Sequence, residues 1–227
     1  MIVLKRGRAE IIVLWVMFAI LAATGIGLLW VAFSLRGDGA AGGALVLTLT
    51  AGAMALIGLY LLEDALARGG VRIAVGANAA ELALPERRGH VRYPAVYESV
   101  PRAALTGIES RTETFSNAAE QTTFALVLAD GRRLILGADK QMLAPFFHNA
   151  AQTLAREWGL EIRHLGVVKA KTGFMLMWGA AVPPWDSEVL SAAEAEKTLR
   201  HTQNFLVYVR LLILAALALS AAAQAMG

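Results

Sequence analysis

Cysteine is absent from this 227-residue chain. That excludes disulfides, thiolate nucleophiles and cysteine-ligated zinc or iron–sulfur centres. Histidine is scarce: His90, His148, His164 and His201 are scattered, and no pair has the spacing of two ligands on one helical turn, so no metal site is expected. A nucleophile elbow, a phosphate-binding loop and a dinucleotide fingerprint after a strand are all missing. No catalytic or cofactor-binding residue is therefore assigned, and a non-enzymatic role is expected. Charged residues make up only 17% of the chain, with a net charge of +3. The basic residues are spread along the chain, without aromatic interleaving or a basic helix, so nucleic acid is not expected as a partner. A solvated surface and anionic lipid headgroups account for them better.

What the chain has in excess is apolar surface. Hydrophobic residues reach 57%, above the roughly 45–50% of an ordinary soluble domain, and their layout explains the surplus. From Ile11 to Leu35 there is no charge. About 25 residues at 1.5 Å each suffice to cross a bilayer with tilt. A cleavable signal has a shorter apolar core, so a retained span is expected. Trp15 and Trp30 lie toward its ends, where interfacial rings are favoured. Arg36-Gly37-Asp38-Gly39 interrupts the pattern, and a second span runs from about Ala41 to Leu62. In it Ala44, Thr48, Ala51, Ala55 and Gly58 form a small-residue stripe suited to close helix packing, within the chain or in a homo-oligomer. Gly25-Ile26-Gly27 lies inside the first span and is read as helix packing. A third apolar stretch, from Phe205 to about Met226, makes a third span, with Arg210 placed to bend back toward the headgroups.

Orientation follows from the flanking basic residues. Lys5, Arg6 and Arg8 precede the first span, only Arg36 lies in the hairpin loop, Arg68 and Arg72 follow the second span, and Lys197 and Arg200 precede the third. The positive-inside rule then puts the N-terminus and the intervening domain in the cytoplasm and the C-terminus in the periplasm.

Between the second and third spans the hydrophobic period changes to that of strands. Val71–Val75, Glu81–Leu84 and Val96–Val100 are early strand candidates. Ile108–Phe115 sets Glu109, Arg111 and Glu113 on one face and Ile108, Ser110, Thr112 and Thr114 on the other, which suggests an edge or half-buried strand. Phe124–Ala129 and Arg132–Leu136 flank Asp130-Gly131, the signature of a type I′ hairpin. Asp139 is expected to cap a helix with apolar positions Leu143, Phe146, Phe147, Ala150, Leu154 and Trp158, ending at Gly159.

Strands, a hairpin and one amphipathic helix follow the order of a pleckstrin-homology-like domain. The stretches Ser99–Ser110 and Leu126–Leu134, with a proline-led segment before Ile108-Glu109-Ser110 and then Asp130-Gly131, resemble the bacterial membrane-anchored PH-like proteins over about 90 residues, Val71 to Leu160. That resemblance implies a scaffold or binding module. The loop around Gly76-Ala77-Asn78 has none of the basic residues that inositide-binding members carry there.

Phe174–Trp185 is apolar but too short to span, and Pro183-Pro184 ends any helix. An interfacial segment that dips Trp178 and Trp185 into the headgroups is the preferred expectation, with packing on the domain or a partner as competitors. Ser191–Glu194 resembles a capping box. Arg87, Arg88 and Arg92 form the densest basic patch, either a solvated loop or a contact for anionic lipid or an acidic partner.

The expected organisation is an α+β membrane protein. It comprises a transmembrane helical hairpin at 1–66, a cytoplasmic PH-like sheet or barrel with one C-terminal helix at 67–168, an interfacial connector at 169–203 and a third transmembrane helix at 204–227. A bacterial inner-membrane scaffold, assembly factor or accessory subunit fits this layout, with membrane lipids and a membrane protein complex as partners. A small transporter or channel subunit is the alternative, disfavoured because the spans carry few polar residues beyond Thr24, Thr48 and Thr50.

Overall fold

A computed structural model of the chain describes residues 1–35, 41–89, 91–115, 119–140, 145–171, 182–204 and 207. The fold is α+β and divides into two compact units, Val3–Ile73 and Ala74–Gly227 with Met1 and Ile2.

The first unit is a helical hairpin. A short strand β1 (Ile2–Lys5) precedes α1 (Arg8–Leu35), and α2 (Ala41–Gly69) returns against it. Both helices contain a stretch long and apolar enough to cross a membrane, Ile11–Ser34 and Gly42–Leu59, and only 11% and 17% of these stretches is buried within the protein. They are therefore not the covered core helices of a soluble fold. Trp30, Phe33, Leu45 and Leu49 point outward. The small-residue stripe works inside the hairpin: Ala44 and Ala51 are buried, a Cβ on Gly25 would sit 3.7 Å from the Ala51 carbonyl, and one on Gly58 would sit 3.5 Å from the Phe18 ring. The serine and threonine side chains of the two helices, Thr24, Ser34, Thr48 and Thr50, each donate to the carbonyl four residues back. That is how a hydroxyl is satisfied where water is scarce. The helix of the second span runs on past Leu62 to Gly69. The third expected span lies outside the described residues apart from Val207.

The second unit is built on strands. After β2 (Arg72–Val75), β3 (Ala79–Leu84) pairs antiparallel with β4 (Val96–Pro101), Leu82 opposite Glu98. Then β5 (Leu105–Phe115), β6 (Ala119–Leu128), β7 (Arg133–Lys140), α3 (Phe146–Trp158) and β8 (Ile162–Ala170) follow. A four-stranded sheet is ordered β7-β6-β5-β8, with β5 antiparallel to β6 and parallel to β8. The helix is thus not the last element of the domain. The strand after it pairs with β5 from Ile108↔Ile162 to Phe115↔Ala170.

The hairpin at Asp130-Gly131 forms with its turn shifted by one residue. Gly131 N donates to Leu128 O at 2.9 Å, so Ala129 and Asp130 are the central pair and Gly131 follows at φ 83°. The turn is thus centred one residue before the type I′ turn expected, and a left-handed glycine closes it. Asp139 does cap α3, but from a strand. Its Oδ1 accepts from Phe147 N at 2.9 Å and its Oδ2 from His148 N at 2.7 Å, while the residue in the cap position, Pro145, has no side chain to offer. Leu143 lies outside the described residues. Gly159 ends the helix at φ 68°, as a C-terminal glycine should.

One face of α3, with Phe147, Ala150, Ala151, Leu154 and Trp158, is buried against β5, β6, β7 and β8. The indole N–H of Trp158 donates to Gly76 O at 2.9 Å, and Arg102 donates to Trp158 O at 3.0 Å, tying the end of the helix down. Closest approach is at Gly137, whose φ is 147° and where a Cβ would fall 2.3 Å from the Phe147 ring. Gly137→Ala is expected to destabilise the protein by on the order of 2 kcal/mol, lowering the melting temperature of the detergent-purified chain by roughly 5 °C. Unchanged melting would mean that helix and sheet are not in this contact.

Candidate functional site

Glu109, Arg111 and Glu113 alternate along β5 and share one face of the strand. β5 is not the edge strand that its mixed pattern suggests. It is hydrogen-bonded on both sides, and these charged residues are buried at 3%, 0% and 0% exposure. Residues 183–185 of the connector contribute to covering that face.

Burying ions is unfavourable unless each is paired and hydrogen-bonded, and here every one is. Arg111 Nε and Nη2 reach Glu113 Oε1 at 2.9 and 2.8 Å. The remaining arm of its fork donates to Pro184 O at 2.7 Å, and Nη2 also donates to Pro183 O at 2.6 Å. The guanidinium carbon lies 4.2 Å from the Trp185 ring centroid, a cation–π contact. Glu113 Oε2 accepts from Gln121 at 2.7 Å, and Gln121 donates on to the Tyr93 hydroxyl at 2.8 Å. Tyr93 itself meets Thr123 at 3.2 Å. Beside this chain an apolar cluster of Val91, Tyr93, Phe115 and Ala170, joined by Val182, seals the end of the sheet.

Glu109 is the second node. It accepts from Arg133 Nε at 2.7 Å, from Arg163, and from the Trp185 indole N–H at 2.6 Å. Burial pushes its carboxyl up, but the hydrogen bonds from Arg133, Arg163 and Trp185 outweigh it and hold the group at about 2. Tyr93 is pushed well above its ordinary range by burial and by the Glu113 charge. Neither group exchanges protons near neutral pH, so the arrangement is suited to holding a shape and presenting charge. Glu109 opens onto a cleft of about 220 Å³ lined by Thr106, Gly107, Val127, Glu161 and Arg163.

The basic patch expected at 87–92 is rearranged by folding. Arg88 is buried and donates to the carbonyls of Leu84, Pro85, Pro94 and Ile135, the last two at 3.0 Å, with Tyr93 stacked 5.4 Å away. Four backbone carbonyls from the loop and the strands beside it converge here, and a multi-donor guanidinium satisfies them. Burial lowers Arg88 to about 10, so it stays protonated. Arg87 is also buried and bridges by its backbone to Arg92, which alone of the three is exposed. Two of the three arginines therefore offer little to a lipid surface.

Trp185 is half-buried between Arg111 and Glu109. It packs on the domain and is not the headgroup anchor first expected, because its N–H and its ring both find charged partners there. Trp178 lies outside the described residues, as does His90. Arg111 and Glu113, expected only as one face of an edge or half-buried strand, carry the network with Gln121, Arg133 and Arg163, which have no local signal. The signal for Arg111 and Glu113 was the acid–base–acid alternation itself, since opposite charges two apart on a strand face can neutralise one another if buried.

Among the described residues, no group of three or more His, Asp or Glu side chains is placed to hold a metal ion. Comparison with known protein families, curated proteins and solved structures gives no match to this chain.

The depressed carboxyl of Glu109 makes stability depend on pH in a definite direction. A group held below its unfolded value near 4.5 stabilises the fold above that pH, and the contribution is lost as pH falls toward 2. The melting temperature of the purified chain is expected to drop between pH 5 and 2, and Glu109→Gln should flatten that drop while lowering stability at pH 7 by about 2 kcal/mol. An equally steep drop in the variant would assign the acid sensitivity elsewhere.

Proposed function

We propose that this protein is a non-enzymatic scaffold or accessory subunit of a bacterial inner membrane, whose cytoplasmic PH-like domain binds a membrane protein partner. The observation that carries this is the helical hairpin: two apolar helices whose side chains mostly face away from the protein and whose serine and threonine hydroxyls are used on their own backbones. Such a hairpin anchors, and offers no polar lining for a substrate. That favours an anchored binding module over the small transporter or channel subunit.

The flanking basic residues support a cytoplasmic domain. A domain tethered within a few residues of α2 stays near the bilayer, so its partners are membrane-bound. Lipid headgroups are a lesser contact, with Arg92 the exposed arginine of the patch.

The test is membrane fractionation followed by purification in mild detergent. The full chain is expected to stay in the membrane pellet through an alkaline carbonate wash and to co-purify with a membrane protein at near-stoichiometric levels. Release into the carbonate supernatant would remove the anchor, and purification of the chain alone would remove the accessory-subunit role.

A further inference from the structure

The segment 183–190 lies over β5 and β8 and is held there almost entirely by directed polar contacts. Arg111 donates to two consecutive carbonyls, Pro183 O and Pro184 O. Trp185 stacks on the same guanidinium and donates to Glu109. Pro184 O also receives Ser187 N at 3.1 Å and Ser187 Oγ at 2.7 Å, closing a turn. Further on, Leu190 N donates to Val167 O at 2.8 Å. Val189 sits against Gly166, where a Cβ would fall 2.5 Å from it. Gly166 has φ 100° and lies where the β5–β8 register shifts, so the strand bulges at the place where Val189 rests.

Two features separate this segment from an integral strand. Pro183 is buried and Trp185 half-buried, but Pro184, Asp186, Glu188 and Val189 are exposed, so beyond Trp185 it buries little apolar surface, which is the mark of an element that opens locally. The charges beneath it are also paired without it, and water can replace the two proline carbonyls on Arg111 once the segment lifts. Arg111 keeps the Glu113 carboxylate, which Gln121 and Tyr93 hold in place, and Glu109 keeps Arg133 and Arg163. Lifting the segment leaves no charge unpaired, so the penalty for stranding a buried ion does not arise.

What the groove reads is specific. Prolines have no N–H, and in an extended diproline the carbonyls are free to accept. A guanidinium fork takes two of them and a carboxylate takes the indole that follows. We propose that 183–190 is a releasable latch occupying in cis a groove that recognises an extended diproline–tryptophan segment, and that the groove takes such a segment from a partner protein once the latch lifts. The partner half of this rests on the binding-module function above; the latch itself does not. The latch leads directly into the helix at 192–204, which opens with Ser191 Oγ donating to Glu194 at 2.8 Å.

Hydrogen–deuterium exchange on the full wild-type chain in detergent tests the latch. Amides of 187–190 are expected to exchange about 100-fold faster than those of β5 and β6; exchange at the same rate would make the segment part of the core and overturn the proposal. The groove is tested with a fluorescent peptide of the sequence Val182–Leu190. It should bind the Trp185→Ala chain saturably, and at least about tenfold more weakly the wild type, whose own latch competes at high local concentration, and Trp185→Ala/Arg111→Lys, which lacks the fork. Absence of binding to a Trp185→Ala chain that melts cooperatively would overturn the groove, and should that variant not fold, the exchange rates in the wild type decide. Because the peptide assay uses the purified chain alone, it stands or falls separately from the co-purification experiment.

Discussion

A guanidinium with no access to water has to find both its counter-charge and its hydrogen-bond acceptors within the protein, and Arg111 does so at the centre of the second unit. Its side chain stands on a face of β5 over which residues 183–185 lie, and it is fully buried there. Glu113 supplies the charge, and the carbonyls of Pro183 and Pro184 supply acceptors that no side chain nearby offers. From that one requirement follow the path of the connector, the half-buried place of Trp185 and the orientation of Gln121 and Tyr93. Low local dielectric strengthens each of these bonds while the face is covered.

The two faces of the sheet solve different problems. Toward α3 the interface is apolar and tightly fitted, with Gly137 cleared of a side chain so that the Phe147 ring can lie against the strand. Toward the connector it is ionic, and its cover is attached by directed bonds. A tightly packed face resists opening because every lost contact is lost at once. A face whose charges are compensated within the sheet tolerates its cover leaving. The helical hairpin obeys the same accounting of polar groups in another setting: for its serine and threonine hydroxyls in apolar surroundings, the acceptors nearest to hand are carbonyls one turn back.

Much of the fold was legible along the chain. The apolar runs located α1 and α2, alternation located β2 to β5, and Asp130-Gly131 located the β6–β7 hairpin, because each signal depends on residues within one element or one turn. Local signals misled where a partner came from far away. Asp139 is a helix cap by residue type, yet it acts from β7 across seven intervening residues. The turn at Asp130-Gly131 closed one residue out of frame, with Gly131 N donating to Leu128 O where the local pattern pointed to Arg132 N and Ala129 O. The arginines at 87 and 88 read as a surface patch, and only the path of a proline-bounded loop against Ile135 and Tyr93 turned Arg88 inward.

By itself the sequence determined two apolar helices, a strand-rich segment with one amphipathic helix, and the absence of cysteine chemistry, since hydrophobic period and composition are properties of neighbouring residues. Tertiary structure alone decided that Glu109, Arg111 and Glu113 would be buried. Their alternation is equally compatible with a wet face, and burial required β8 to return after α3 and pair with β5, and residues 183–185 to lie across the strand. Those contacts join positions more than 50 residues apart, and no local pattern encodes the loss of water that turns exposed charges into a buried network.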